Sequence, residues 1–80
     1  HGDGMTRLPR ISGKELVKIL SQTGYIVIRQ RGSHVRMKDN SAAARQMVTV
    51  PMHDTLKPGL LLHIIKDAGL TVEDLLRLQK

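Results

Sequence analysis

The residue best suited to chemistry in this sequence is His34, which follows Gly32-Ser33 and stands among basic residues. An imidazole, whose ordinary pKa is about 6.5, accepts or donates a proton near neutral pH. Neighbouring cations would bind a phosphodiester and stabilise the negative charge that develops at phosphorus. Because RNA carries its own nucleophile, the 2′-hydroxyl, a ribonuclease of this design needs no metal and no protein nucleophile. The cations nearest to His34 are Arg29, Arg31, Arg36 and Lys38.

Each of these residues also has a simpler interpretation. A histidine in a basic strand is more often a solvent-exposed residue than a catalytic one, and composition and periodicity alone favour that interpretation of His34. Ser33 could donate a hydrogen bond to phosphate or only form the turn. Arg31 and Arg36 could bind phosphate or be solvated strand residues.

The other titratable residues argue against several alternative chemistries. The absence of cysteine excludes a thiolate zinc site and a cysteine nucleophile. The seven acidic residues are scattered, which argues against hydrolysis by paired carboxylates, and phosphate-loop or dinucleotide glycine motifs are absent. A metal site would need His34, His53 or His63 to converge with a carboxylate such as Asp54, and their spacing gives little support for it. We therefore predict no metal and no cofactor.

The net charge predicts an anionic partner. Thirteen Lys and Arg oppose seven Asp and Glu, which gives a formal charge of +6, and a small basic chain most commonly binds nucleic acid. Since Tyr25 is the sole Phe, Trp or Tyr residue, contact with phosphates is favoured over stacking of single-stranded bases. The lack of cysteines, of a signal peptide and of a long apolar run predicts a cytoplasmic protein with no membrane contact.

Capping motifs and periodicity predict a helix, three strands and two further helices. Ser12 with Glu15 forms a capping box that starts a helix over residues 13–23, and Gly24 suits its left-handed end. From Tyr25 the apolar period changes from about 3.6 to 2. Three short runs, separated by Gly32-Ser33 and by a loop that begins with Asp39-Asn40-Ser41, predict an antiparallel meander ended by Pro51.

Alternation along these strands assigns their residues to two faces. The helices that precede and follow the three strands along the chain would cover the apolar face and leave the basic face exposed. The apolar face is predicted to carry Ile26, Ile28, Val35, Met37, Val48 and Val50. The basic face is predicted to carry Arg29, Arg31, His34, Arg36 and Lys38.

The last third of the chain predicts two helices. Pro58 suits the first turn of the second helix, Gly69 its end, and Thr71 with Asp74 the start of a short third helix. His63 lies off the apolar stripe and is predicted to be at the surface; the stripe consists of Leu61, Ile64, Ile65 and Ala68. We predict one α+β domain over residues 5–80, and interpret residues 1–4 as a tag remnant or a disordered extension.

Motifs between Gly24 and Leu70 are similar to those of a known family, and the similarity covers nearly everything from Ser12 to Leu78. They are Gly24-Tyr25, Arg29, Arg31-Gly32-Ser33-His34, Val48-Thr49-Val50-Pro51-Met52-His53, Pro58-Gly59 and Ile64-Ile65-Lys66-Asp67-Ala68-Gly69-Leu70. On these residues the sequence resembles the HicA (YcfA-like) toxins. The resemblance implies a fold similar to the double-stranded-RNA-binding domain and the activity of a translation-independent mRNA interferase, which a HicB antitoxin neutralises.

The resemblance also implies roles for individual residues. The family's catalytic histidine falls on His34, which favours a general acid or base there, and Arg29, Arg31, Ser33, Arg36 and Lys38 become the candidate RNA-binding residues. The family's second histidine falls on His53, either as a second proton-transfer group or as a structural or solvent-exposed residue. The sequence departs from many relatives at Met37, where they carry an aromatic residue, and in the loop over 39–45, which has less Pro and Gly.

Two other functions fit the same charge. A module that binds double-stranded RNA without cleaving it contacts phosphates and 2′-hydroxyls and needs few aromatic residues. A protein whose basic face serves only to engage an acidic antitoxin is also compatible with the composition.

Overall fold

In the computed structural model, which describes residues 8–79, local signals set the ends of the first helix. Ser12 Oγ accepts a hydrogen bond from the Glu15 amide at 3.0 Å, and a Glu15 carboxylate oxygen accepts one from the Ser12 amide at 3.1 Å. Gly24 follows the helix with a φ of +109°, which glycine adopts without the strain a Cβ brings. The elements are α1 (Gly13–Gln22), β1 (Tyr25–Arg31), β2 (His34–Asp39), β3 (Val48–Pro51), α2 (Pro58–Asp67) and α3 (Val72–Leu78).

The second helix also begins and ends beside the predicted residues, and the third begins at its predicted capping box. Pro58 occupies the first turn of α2, and Gly69 beyond its end has a φ of +70°. Thr71 and Asp74 form the capping box of α3. The interpretation of residues 1–4 concerns a segment that lies outside the described residues.

The three strands form one antiparallel sheet in the order β1-β2-β3, as the meander predicted. Helices α1 and α2 pack against one face of it and leave the other face to solvent. The arrangement confirms the predicted α+β fold, which is similar to that of the double-stranded-RNA-binding domain.

The core lies between this face of the sheet and the helices. Met37, the departure from the resembled family, is fully buried, so it fills the core as an adaptable apolar side chain. The stripe predicted for α2 is buried along its whole length. The core side chains are Ile11, Leu16, Ile19, Leu20, Tyr25, Val35, Met37, Val48, Val50, Leu56, Leu61, Ile64, Ile65, Ala68 and Leu75.

Strand β1 departs from the predicted alternation. Ile26 and Ile28 were expected in the core, and both are exposed; Tyr25 is the β1 residue that the core contains. The pairing with β2 shifts between Val27 and Arg29, so that Ile28 is the extra residue of a β-bulge. Ile26 pairs with Lys38 on the open face. Strict alternation was therefore wrong for these two isoleucines, because it assumes a ladder without insertions.

The start of α1 is joined to the segment that follows β3. The Gly13 amide donates to the His53 carbonyl oxygen at 2.9 Å, and the Leu56 amide donates to the Ile11 carbonyl oxygen at 2.8 Å. A Cβ on Gly13 would lie 2.1 Å from the Pro51 carbonyl oxygen, so only glycine fits this approach. The end of β3, opposite the first residue of β2, is thereby held against the helix layer.

Candidate active site

A tight turn sets the position of His34. Gly32 has a φ of +58°, and its carbonyl oxygen accepts a hydrogen bond from Gln30 Nε2 at 3.3 Å. The Met52 amide, beyond the end of β3, donates to the Ser33 carbonyl oxygen. His34 consequently begins β2 between the two outer strands, with Arg31 opposite on β1 and Pro51 opposite on β3.

Cross-strand pairing brings the predicted cations to His34. In the next row of the open face, Arg29 of β1 pairs with Arg36 of β2, and Arg36 pairs with Thr49 of β3. Because directly opposed residues in a sheet share a face, these side chains surround one shallow depression. We call it the cationic depression; its volume is about 170 Å³ and its lining is Arg29, Arg31, His34, Arg36 and Thr49.

The cationic depression contains three guanidinium groups and no carboxylate in its lining. Within residues 8–79, no side-chain hydrogen bond or ion pair engages Arg29, Arg31 or His34. The charges of Arg29 and Arg31 are not neutralised within this part of the chain, so the depression attracts anions. A phosphodiester fits both its charge and the planar donor geometry of arginine.

Arg36 differs from the other two arginines because its side chain is held in place. Its Nη1 donates to Thr49 Oγ1 at 2.9 Å, and its Nη2 lies 3.6 Å from Met47 Sδ. Thr49 and Met47 were not among the sequence candidates. The alternation of Val48, Thr49 and Val50 does place Thr49 on the open face, but its contact with Arg36 follows from the strand register, which a single sequence does not display.

Two further candidates lie near the cationic depression without lining it. Lys38 is exposed on the open face opposite Ile26. Ser33 is exposed in the turn before His34. Neither residue lines the depression.

The remaining histidines occupy other surroundings. His53 is exposed beyond β3, and its carbonyl oxygen accepts the Gly13 hydrogen bond; its side chain does not line the cationic depression. His63 is at the surface of α2, as predicted, with Nε2 at 3.3 Å from Asp67 Oδ2. Residues 8–79 contain no group of three or more His, Cys, Asp or Glu residues that could hold a metal ion.

Arg45 differs from the arginines of the cationic depression, because each of its three guanidinium nitrogens donates a hydrogen bond. Its Nε donates to Asp39 Oδ2 at 2.8 Å, its Nη1 to the Ala68 carbonyl oxygen at 2.8 Å, and its Nη2 to the Thr23 carbonyl oxygen. Its guanidinium carbon lies 4.8 Å from the centre of the Tyr25 ring. We call Asp39, Arg45 and Tyr25 the Arg45 cluster. The sequence had placed Asp39 and Arg45 in a loop, yet Asp39 is buried at the end of β2.

The electrostatics of the Arg45 cluster follow from these contacts. The hydrogen bond from the Arg45 side chain, with others from the Arg45 and Ser41 amides, holds the pKa of Asp39 well below its ordinary range. The same hydrogen bond to Asp39 raises the pKa of Arg45. Burial raises the pKa of Tyr25, whose hydroxyl donates to the Gln46 carbonyl oxygen at 2.7 Å. The cluster is thus an ion pair at neutral pH.

No helix among residues 8–79 combines the length and the apolar character needed to cross a membrane. Comparison with curated proteins found no match, and comparison with solved structures also found none. The model of a protein family described as the HicA toxin of bacterial toxin–antitoxin systems matches residues 13–70, a span that includes all three strands, α1, α2 and the cationic depression. The chain therefore belongs to the HicA toxin family.

Proposed function

We propose that this toxin is a metal-independent endoribonuclease that cleaves mRNA, with His34 as general acid or base, and that a HicB-type antitoxin inhibits it. The observation that carries the proposal is the surroundings of His34. Its exposed imidazole lies in the cationic depression beside three guanidinium groups, and no carboxylate lines that depression. A proton-transfer group among phosphate-binding donors is what cleavage of RNA by its own 2′-hydroxyl requires.

The proposed reaction is a transesterification within the RNA. His34 accepts the proton of the 2′-hydroxyl as O2′ bonds to phosphorus, and the bond from phosphorus to O5′ breaks. The leaving O5′ takes a proton from the imidazolium or from water. The products are a 2′,3′-cyclic phosphate and a 5′-hydroxyl end, so the atoms balance without a metal or a protein nucleophile.

The arginines divide the electrostatic part of this reaction. Arg29 and Arg31, free of side-chain partners within the described residues, bind the phosphodiester. Arg36, whose orientation Thr49 sets, directs its remaining N–H groups to the non-bridging oxygens on which charge increases. Ser33 and Lys38 contact the backbone beside the cleaved bond.

The deciding experiment measures cleavage of a defined RNA in the presence of EDTA. We expect the parent protein to cleave, and His34→Ala to lose on the order of 10² to 10⁴ in rate. The matched control is His63→Ala, which removes an exposed histidine of α2 that lies outside the cationic depression. Cleavage by His34→Ala at the parent rate would remove His34 from the mechanism, and a dependence on added metal would overturn the metal-independent reaction.

Two additions to this assay test the chemistry itself. An RNA with a 2′-deoxyribose at the cleaved position should remain intact, because its nucleophile is missing, and it should still bind. His53→Ala should retain most of the cleavage rate, since His53 does not line the cationic depression. A loss as large as that of His34→Ala would instead make His53 a second proton-transfer group.

A non-catalytic module that binds double-stranded RNA is the second candidate function. The observation in its favour is that the cationic depression contains one histidine and no further side chain suited to proton transfer. A protein of this type would retard RNA on a gel in a salt-sensitive way and leave it intact. Binding without cleavage by both the parent and His34→Ala would therefore replace the nuclease proposal with this one.

A further inference from the structure

Three consecutive apolar residues of β1 face solvent. Ile26 is 43% exposed, Val27 is 50% exposed and Ile28 is 45% exposed. We call these residues the β1 edge patch. Runs of exposed β-branched residues are uncommon on soluble proteins unless a partner covers them.

The β1 edge patch lies on the outer strand of the sheet. In the strand order β1-β2-β3, β1 pairs on one side only, and no other strand among residues 8–79 pairs with its outer side. The opposite edge is protected in the usual ways: β3 has four residues, is mostly buried and ends at Pro51. By contrast β1 has seven residues and contains no proline.

The bulge in β1 determines how the patch is presented. Ile26 pairs with Lys38 on the open face and Val27 pairs with Met37 toward the opposite face, whereas Ile28 is the extra residue with no partner in the ladder. The three exposed side chains therefore do not all lie on one face of the sheet. A bulge distorts the strand edge and disfavours indiscriminate strand pairing. A partner would therefore contact the side chains of the patch rather than add a strand to the sheet.

The charges beside the patch indicate what kind of surface covers it. Arg29 and Arg31 follow it on the same strand, and neither has a side-chain partner among the described residues. A phosphodiester chain complements these cations but gains little from three apolar side chains. A second copy of this chain, with its own formal charge of +6, would bring like charges together. A protein surface with apolar side chains next to carboxylates complements both features.

We propose that the β1 edge patch is a docking site for a protein whose contact surface combines apolar side chains with adjacent carboxylates, and that this protein is the antitoxin of the same toxin–antitoxin pair. Its carboxylates contact Arg29 and Arg31, so a bound antitoxin also occupies one side of the cationic depression. The choice of partner follows from the family assignment. Inhibition of cleavage by this contact rests on the proposed function, whereas the docking itself does not.

The test is calorimetric titration of the purified toxin with its own antitoxin. A double variant, Ile26→Thr with Ile28→Thr, keeps β-branched side chains at exposed positions, so the fold should be retained. We expect its affinity for the antitoxin to fall at least about tenfold, while its affinity for RNA stays near that of the parent. Leu62→Gln is the matched control, because Leu62 is 46% exposed on α2. The control should bind the antitoxin like the parent.

Three outcomes would overturn the proposal. One is unchanged antitoxin affinity in the double variant. Another is an equal loss in Leu62→Gln. The third is a dimer of the free toxin in sedimentation that the double variant dissociates, since the occupant would then be a second copy. The titration measures binding alone, so a toxin that fails to cleave RNA contradicts the nuclease proposal and leaves this test intact.

Discussion

Arg45 and the arginines of the cationic depression carry the same guanidinium group in opposite surroundings. Arg45 is 20% exposed, pairs with a fully buried Asp39 side chain and donates to two backbone carbonyl oxygens. Arg29 and Arg31 are exposed and lack side-chain partners within residues 8–79. Arg36 is intermediate, with one neutral oxygen partner in Thr49.

The difference separates the charges that stabilise the fold from those available to a ligand. Arg45 joins the end of α1, the end of β2 and the end of α2, since its partners are Thr23, Asp39 and Ala68. Removing it breaks contacts that the native state alone makes. The arginines of the cationic depression have guanidinium N–H groups that make no hydrogen bond within residues 8–79. A bound phosphate therefore adds contacts without breaking any that the fold needs.

The largest expected effect is on stability, in Arg45→Ala. This variant leaves the Asp39 carboxylate buried without its cationic partner and two carbonyl oxygens without their side-chain donor. We expect the free energy of unfolding to fall by about 3 kcal/mol, the scale found when one member of a buried ion pair is removed. Denaturant unfolding measures the change. Arg31→Ala is the control, for which a surface position predicts a change within about 0.5 kcal/mol. Equal losses of unfolding free energy in the two variants would contradict the stabilising role given to Arg45.

The next effect is on RNA affinity and its salt dependence. Replacing Arg29 and Arg31 by Gln should weaken RNA binding. The slope of log affinity against log salt is negative, and its magnitude should fall by about 0.7 to 0.9 for each phosphate contact removed. The free energy of unfolding should remain near that of the parent. Lys66→Gln, which removes an exposed charge from the last turn of α2, should leave the slope unchanged. An unaltered slope in the double Gln variant would show that these arginines do not contact phosphate.

The buried ion pair should also make stability depend on pH. Because the folded-state pKa of Asp39 lies below its unfolded value of about 3.9, the ion pair contributes its full stability above that pH and loses it progressively as the pH falls further. Asp39→Asn should therefore be less stable than the parent at neutral pH and should lose less stability on acidification. Unfolding curves collected from neutral to acidic pH test this.

Asp74 supplies the control for that experiment. Hydrogen bonds from the Thr71 amide, then from Arg77 and the Thr71 hydroxyl, also lower the pKa of Asp74, at a solvent-accessible cap. Asp74→Asn should reduce the loss of stability at acidic pH less than Asp39→Asn does. A parent and an Asp39→Asn variant with parallel pH profiles would contradict the role given to the Arg45 cluster.

The smallest expected effect is in Thr49→Val, which keeps the shape of the side chain and removes the oxygen that holds Arg36 at 2.9 Å. If this contact orients Arg36 for the transition state, kcat should fall a few-fold with little change in KM, and Thr49→Ser should restore it. A purely structural role for Thr49 would change the thermal midpoint and leave kcat intact.

Local sequence determined much of this protein. The starts of α1 and α3 follow from the Ser12–Glu15 and Thr71–Asp74 capping boxes, because a helix start depends on residues within one turn. The placement of His34, Arg29, Arg31 and Arg36 on one face was also predictable, since period-2 alternation operates on each side of the bulge. The roles of these residues in RNA cleavage remain predictions.

The tertiary structure alone decided the rest. The bulge, with Ile26 and Ile28 exposed beside it, depends on how β1 pairs with β2, and the residues of β1 alone do not predict it. Arg45 meets Thr23 and Ala68 across 22 and 23 residues of chain, and Arg36 meets Thr49 across 13. Such contacts depend on register and on packing between elements, whereas a single sequence displays mainly the preferences that act between near neighbours.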